Sequence, residues 1–555
     1  MKIADSSRLQ RLDGEAGNDD PVVHDDSDSE AGSGGRGVGG SPAVPANLAT
    51  ARSLAIWLGG AAVVLGLVLR FWTTSDLWLD EALTVNIAHL PISQIPSALK
   101  RDGAPPLFYF LLHFWMKIFG SSDLAVRSLP GLFSCATFPA VYEAGRRLGG
   151  RRVGFAALLV LAVSPFGVRY GAETRMYSLV MLLTSLGFLF VHSALKNPKF
   201  SVLVGVAVCT AALLYSHYWA LYLVATVGAW LLYTAWRSSA GQRANALKAF
   251  AAMAAGSMTF VAWVPIFLYQ SAHTGTPWAA PAGFAAMVNA VSTFAGGADS
   301  QGRALALVYF ALGGLGLFGM AKSSRTIELD IRTRPRGRAL AVAIIGTLAI
   351  AVVGGYASHS AFQARYASVV LVPVVLLVAL GTVTFADVKV RGILLAAIVV
   401  FGLAGSIPDI WTNRTQAGQV ASALASLAHR GDVVAYCPDQ LGPDASRLLA
   451  GRGYRQITFP RGTAPQFVNW VDYAKATGAA QPRQFADRLV SMAGGSHQIW
   501  YVWMSGYQTY GTKCEAIEQD LLADPSLAAH EQIVPAPNKF FEPMELVRFV
   551  PISGS

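Results

Sequence analysis

Charge is scarce in this chain. Of 555 residues only 14% are charged and 53% are hydrophobic, where a soluble domain carries about 25% charged residues. That balance excludes a chain disordered throughout and argues against an ordinary cytosolic enzyme. Cysteine is scarcer still. Four in the whole chain are too few for a disulfide-dense secreted scaffold. Glycine is frequent at 54, but without the strict repeat of a collagen. No Walker motif is present, nor a Rossmann fingerprint between a strand and a helix, so a nucleotide-driven reaction finds no support. What the chain does have is long apolar blocks, the mark of a polytopic membrane protein. The net charge of +10 sits in short loops between those blocks. This placement reports topology rather than a phosphate-binding stripe, and no nucleic-acid partner is expected.

The chain reads in three parts. Residues 1–50 hold nine acids against four basic residues and end in a Gly/Ser/Pro/Ala-rich stretch, so a disordered cytoplasmic tail is expected. Residues 51–411 carry eleven apolar blocks, near 54–72, 128–145, 153–170, 177–195, 201–215, 218–236, 248–269, 304–321, 339–358, 366–386 and 392–411. Each approaches the roughly 20 residues that a span needs. The block PPLFYFLLHFWMKIFG, residues 105–120, is left out. It is short, carries His113 and Lys117, and would begin at a Pro pair. It reads as a surface helix of an outer juxtamembrane region, residues 91–120. With that assignment the basic loops fall together with Arg52 on one side, including the RRLGGRR turn at 146–152 and the run Lys322, Arg325, Arg332, Arg334, Arg336, Arg338. Lys and Arg collect in cytoplasmic loops. The expected arrangement is a multi-pass plasma-membrane protein with the N-terminus inside and the C-terminus outside.

Residues 412–555 differ in kind. Strand candidates Val433–Cys437, Ile457–Phe459, Ile499–Met504 and Leu546–Val550 alternate with helix candidates 416–429, 483–493 and 514–523. That pattern predicts a small extracytoplasmic α/β domain. Cys437 and Cys514 both fall there and form the candidate disulfide. Cys135 and Cys209 lie inside spans and read as small apolar fillers.

Polar chemistry collects in the outer loops. Asp80 and Glu81 follow the first span side by side in apolar surroundings. Carboxylates near a membrane are costly, which makes them functional candidates. Adjacent acids in a water-poor site repel, an arrangement that suits a base or a cation ligand, although a helix N-terminus also welcomes two acids. The segment VRYGAETRMYSL places Glu173 and Arg175 in a short outer turn with Arg169, flanked by Tyr170 and Tyr177. An internal Glu173–Arg pair joining two helix ends is the plainer reading. His217 sits with Tyr218 and Trp219 at the same level, as an interfacial residue would. The loop 270–303 holds His273, Trp278 and Asp299, and its Gly and Pro content suits a mobile cover. Arg365 and Tyr366 reach the outer end of a late span. A guanidinium at a helix start opposes the helix dipole, so an anion is expected beside it, a lipid phosphate being the natural one.

The Asp80-Glu81 pair, the PPLFYFLLHFWMKIFG block, the RRLGGRR turn, the YGAETRMYSL segment and the QARYAS segment together resemble a GT-C fold integral-membrane glycosyltransferase. The group resembled is family 39, with its protein O-mannosyltransferases and ArnT-like transferases, over roughly residues 54–390. The resemblance implies an inverting enzyme that moves a sugar, a hexose such as mannose or a pentose, from a polyprenyl-phosphate donor at the outer face. The acceptor is a glycan, lipid or protein of the cell envelope. Carried over by position, Asp80 is the base, and Glu81 its neighbour holding the acceptor or a metal. Arg365, Arg175 and Tyr366 hold the donor phosphate. Glu173, Asp102, His217 and Tyr170 line the sugar or acceptor pocket. Many relatives carry a His before the Pro pair where this chain has Ala104, with Asp102 nearby. The resemblance assigns no definite cofactor; a divalent cation and its ligands stay open. Two other readings stand beside this one, a secondary transporter and a non-catalytic polysaccharide-assembly protein. Transporters place their ionisable residues near mid-membrane on broken helices, whereas here these residues gather at span ends.

Overall fold

The computed structural model describes residues 46–275, 283–357 and 362–552. Residues 1–45, which hold the acidic tail, and Trp278 lie outside them. The chain divides into two units, Met1–Ser53 and Leu54–Ser555, and the second carries the site. Along the apolar part run α1 (Ala46–Leu69), α2 (Leu79–His89), α3 (Ile95–Asp102), α4 (Leu107–Phe119), α5 (Asp123–Gly149), α6 (Arg151–Ala162), α7 (Pro165–Gly171), α8 (Tyr177–Lys196) and α9 (Phe200–Ser216). They are followed by α10 (Ala220–Arg237), α11 (Ala240–Met258), α12 (Val264–His273), α13 (Phe284–Phe294), α14 (Ser300–Phe318), α15 (Pro335–Ala357), α16 (Ser368–Thr382) and α17 (Val388–Trp411). All eleven apolar blocks are helical. Among the described residues seven helices are long and apolar enough to cross a membrane, eight when α6 and α7 count as one bent span, against the eleven spans expected; the apolar parts of α1 and α9 are too short, and α10 is not among the candidates. The block set aside as a surface helix is α4, only 13 residues long. Large apolar side chains such as Phe200, at 84% exposure, face outward, as they must where lipid replaces water.

Two local features show how the bundle closes. Helices α14 and α16 meet through glycines. A Cβ on Gly381 would stand 1.9 Å from the Leu312 carbonyl, and one on Gly316 would stand 2.4 Å from that of Leu377. Only the missing side chain lets these backbones touch, the usual close approach inside a membrane. The bend of 60° between α6 and α7 comes from Pro165, which cannot continue the hydrogen-bond ladder. Arg70, fully buried, donates to the freed carbonyls of Leu161 at 2.7 Å and Ala162 at 3.0 Å. Ser164 caps α7 by accepting from Gly167 N–H at 3.2 Å. These bonds satisfy backbone groups that the break frees, so the span can turn there and deliver the loop that follows it.

A two-stranded hairpin, β1 (Gly319–Ala321) with β2 (Ile327–Leu329), occupies the basic loop before α15. The C-terminal part adds α18 (Ala417–Leu427), β3 (Val433–Cys437), α19 (Gly442–Leu448), β4 (Arg455–Thr458), α20 (Tyr473–Ala479), α21 (Pro482–Ala493), β5 (Ile499–Trp503), α22 (Lys513–Leu522), β6 (Leu527–Ile533) and β7 (Glu545–Pro551). The sheet order is β4-β3-β5-β7-β6. Strands β3, β4 and β5 run parallel, and β7 is antiparallel to both neighbours. All five residues of β3 and of β5 are buried, because both faces are covered. Val434, Tyr436, Trp500 and Val502 face α18 and α19. Val433, Ala435, Ile499 and Tyr501 face α21 and α22. This is the period-2 alternation of a strand with apolar residues on both sides.

Cys437 and Cys514 form the expected disulfide, with a sequence separation of 77. A loop of that length corresponds to about 4 kcal/mol of stabilisation in the chain-entropy account. Paired Cys437→Ser and Cys514→Ser substitutions should therefore lower the thermal midpoint of the purified protein markedly. An unchanged midpoint would show that the bond carries no stability.

Candidate functional site

Helix α2 opens with Asp80 and Glu81 in its first turn, where the helix dipole favours acids. Consecutive residues on a helix diverge by about 100°, so the two carboxylates cannot face the same space. Glu81 turns inward and is fully buried. Arg127 of α5 grips it with two bonds, Nε to Oε1 at 2.8 Å and Nη2 to Oε2 at 2.6 Å. Thr174 N–H donates to Oε1 at 2.8 Å, and Arg414 Nη1 lies 3.5 Å from Oε2. Burial pulls the carboxyl upward, but Arg127 and Arg414 together outweigh it and hold it below its ordinary value. Every accepting site near Glu81 is thus spoken for. The expectation that it holds an acceptor or a metal meets a carboxylate with no room for either.

Glu173 is fully buried as well. Its partner is Arg414, at 3.2 Å from Oε2, and burial raises its carboxyl despite that partner. This is the plainer reading of Glu173, an internal pair, with a different arginine from the two near it in sequence. Arg169 goes instead to Asp409, at 3.5 Å. Glu81, Glu173, Arg127 and Arg414 form a balanced buried cluster. It ties together α2, α5, the turn after α7 and the segment after α17. Glu542 adds a tie from the connection between β6 and β7, because its Oε2 accepts from Leu79 N–H at 3.3 Å at the start of α2.

Asp80 faces the other way. Its Oδ2 lies 3.0 Å from Arg365 Nη1, and the two side chains keep 15% and 17% exposure. Within the chain itself, Asp80 is the anion beside Arg365. Arg175 Nη1 donates to Thr84 Oγ1 at 2.8 Å and lies 3.5 Å from the Asp80 carbonyl and from Tyr109 OH. Tyr109 in turn donates to Asp102 at 2.9 Å. Burial raises the Asp102 carboxyl, against the pull of Arg175 and the Tyr109 bond. Two arginines and two acids, drawn from α2, α3, the turn before α8 and the segment before α16, so converge at one place.

Aromatic rings wall it. The Arg365 guanidinium lies over Trp78 and Tyr366, at 5.7 and 5.8 Å from the ring centroids. The His217 ring stands between Tyr177 and Tyr366, at 5.9 and 5.4 Å. Tyr170 meets Tyr177 edge-on at 4.7 Å. His217 is buried, and burial followed by Arg175 and Arg365 pushes its pKa down to about 3. The imidazole is neutral, and its Nδ1 accepts from Trp219 N–H at 3.1 Å. His273, from the loop read as a cover, pairs with Asp472 at 3.1 Å. Among the described residues no cluster of three His, Cys, Asp or Glu side chains gathers as a metal site.

Sequence reasoning brought Asp80, Asp102, Arg175, Arg365, Tyr366, His217 and Tyr170 to one neighbourhood. It missed Arg127, Arg414, Tyr109, Thr84 and Glu542. Arg127 had one weak signal, a lone guanidinium at the edge of an apolar span. Arg414 and Glu542 had none, since their partners lie 241 and 463 residues away.

An apolar helical bundle with acids and arginines gathered at one end, followed by a mixed α/β sheet, is the architecture of the GT-C glycosyltransferases. Residues 103–263, under a third of the chain, match the family described as dolichyl-phosphate-mannose-protein mannosyltransferase. Among solved structures, ArnT from Cupriavidus metallidurans bound to undecaprenyl phosphate covers 91% of this chain and 98% of its own, with TM-score 0.52 and 12% identity. The apo form of that ArnT gives 0.53 at 11% identity, covering 91% and 98%. The arabinofuranosyltransferase AftD from Mycobacteria gives 0.50 at 14% identity, covering 90% of this chain and 41% of its own. At such identities the likeness is one of fold. Among curated protein sequences none matches.

Proposed function

We propose that this chain moves a sugar from a polyprenyl-phosphate donor to a hydroxyl acceptor, with Asp80 as the base and Arg365 and Arg175 as the phosphate holders. The observation that carries this reading is the 3.0 Å pair between Asp80 and Arg365, with Arg175 beside it and both paired side chains mostly buried yet not sealed off. The ArnT of the same fold is described with undecaprenyl phosphate bound, which supports a lipid-phosphate donor. The chemistry is one displacement. The acceptor oxygen attacks the anomeric carbon from the face opposite the phosphate. The carbon–oxygen bond to phosphate breaks with its electron pair, and the hydroxyl proton passes to the Asp80 carboxylate. Negative charge grows on the departing phosphate, where two guanidiniums stabilise it better than they stabilise the ground state. Configuration inverts, and no covalent nucleophile is needed.

The tyrosines and Trp78 offer flat faces for a sugar ring, and neutral His217 offers a hydrogen-bonding edge without adding charge. Glu81 and Glu173 act at one remove, by fixing the helix and the turn that carry Asp80 and Arg175. The Lys/Arg-rich loops lie at the other end of the spans, so the positive-inside rule puts Asp80 on the exoplasmic face. There the sheet domain of residues 412–555 covers it.

The test is a panel of polyprenyl-phosphate sugars, hexosyl and pentosyl, given to the purified protein with released polyprenyl phosphate as the readout. One donor should turn over. With it, Arg365→Ala should raise the donor KM and lower kcat together, cutting kcat/KM by about 10²-fold or more. Release from no donor, or an Arg365→Ala enzyme with unchanged constants, would overturn the assignment.

A further inference from the structure

A further cavity has its charged mouth at the far end of the bundle from Asp80 and reaches toward Leu213 and Leu223. Between α8, α9, α10, α11 and α15 runs an apolar cavity of about 330 Å³, within the usual range for ligand pockets. Along α8 it extends from Leu195 to Thr184, about 16 Å at helical rise. That is close to half of a ~30 Å hydrocarbon core. Its polarity is one-sided. Among its lining residues only Arg336 carries a permanent charge, and it sits with His192 at the end where α8 finishes and α15 begins. The end beside Leu213 and Leu223 is apolar, and no acid lines the cavity anywhere. Arg336 is exposed and makes no ion pair among the described residues. Lys196 stands next to Leu195 on the same rim. Arg147 reaches it too, with Nη1 donating to Ser193 Oγ at 2.6 Å.

We propose that this cavity is a binding site for an anionic phospholipid, with one acyl chain filling the channel and the headgroup phosphate resting on Arg336. An apolar channel with a single cationic mouth fits an amphiphile with one anionic head. The mouth belongs to the basic face of the membrane, where acidic lipids are drawn to Lys and Arg. The sugar donor does not account for the charge at Arg336. Its phosphate is assigned to Arg365, beyond the opposite end of α15, a 23-residue helix about 34 Å long. A donor seated there would point its charge away from Arg336.

Two substitutions separate head from tail. Arg336→Gln removes the charge and leaves the channel. Gly187→Leu fills the channel. A Cβ at Gly187 meets only the Cys209 Cβ at 3.9 Å, an ordinary contact, and leucine is a better helix former than glycine. Delipidated protein would be given dioleoyl phosphatidylglycerol or dioleoyl phosphatidylcholine and the bound lipid counted by native mass spectrometry. The wild type should bind the anionic lipid about fivefold more tightly than the zwitterionic one. Arg336→Gln should bring that ratio to about one, and Gly187→Leu should lose both lipids at this site. The proposal falls if the wild type shows no preference. It falls equally if Gly187→Leu binds the anionic lipid unchanged, since the rim alone would then hold it. It falls again if polyprenyl phosphate displaces the phospholipid as readily from Arg336→Gln as from wild type. None of these readouts depends on the transfer reaction.

Discussion

Asp80→Asn should reduce kcat by about 10²–10⁴-fold, the usual contribution of a general base, while the protein folds and expresses as before. The substitution keeps the shape of the side chain and removes its charge. Asp80 lies outside the fully buried cluster and its pair with Arg365 is partly exposed, so the stability loss should be well below that of Glu81→Gln. The donor side gives a sharper signature. In the wild type Arg365 is engaged by Asp80 at 3.0 Å. With the carboxylate gone its guanidinium has one anion fewer to serve, so donor phosphate should bind at least as well as before. A fall in kcat with an unchanged or lower donor KM therefore separates a lost base from a collapsed pocket, which would raise KM. Normal turnover by purified Asp80→Asn would end the assignment of the base. If Asp102→Asn were then the inactive variant, the base would be Asp102, whose carboxyl burial already raises.

How much of this was legible in the sequence depended on whether a signal was local. Apolar blocks are local, and all eleven became helices. The 13-residue α4 stayed short because its Pro pair and flanking glycine bound it on both sides. Strands β3 and β5 were legible because burial on both faces makes them continuous apolar runs. Strand β4 begins two residues before its expected start, at Arg455, where an exposed charged residue hides a strand end. Strand β6, with the sequence LAAHEQI, escaped notice because it lies at the sheet edge and its middle is exposed. Edge strands tolerate charge that central strands do not. In the site, Asp80 and Arg365 were found because charges beside apolar spans are conspicuous. The sorting of Asp80 from Glu81 was not legible. It depends on which side of α2 faces Arg127, and no motif records that. Glu173 shows the same limit, since its true partner, Arg414, comes from a stretch with no pattern of its own.

That sorting yields the second large effect, on stability. Glu81→Gln should cost about 3–5 kcal/mol, the range for breaking a buried pair by removing one partner. Arg414 would keep Glu173, while the buried Arg127 would be left with the Ser75 and Asp76 carbonyls and no carboxylate in contact. Thermal midpoints in detergent should show a large drop for Glu81→Gln beside a much smaller one for Asp80→Asn, although the two residues are neighbours. Acidity supplies a check that simple loss of packing would not reproduce. The folded protein holds the Glu81 carboxyl below its ordinary 4.5. A depressed carboxyl contributes stability that is fully present above the unfolded value and fades as pH falls through the folded one. The gap between wild type and Glu81→Gln should accordingly stay constant from neutrality down to about pH 5 and narrow only below 4.5. A gap that closes nearer neutral pH would mean the pair is not charged in the folded protein. Adding Arg127→Gln to Glu81→Gln should recover part of the loss, because the orphaned charge goes with its partner. Strictly additive losses would show that Arg127 and Glu81 act independently, and the cluster would lose its claim to hold the catalytic helix in place.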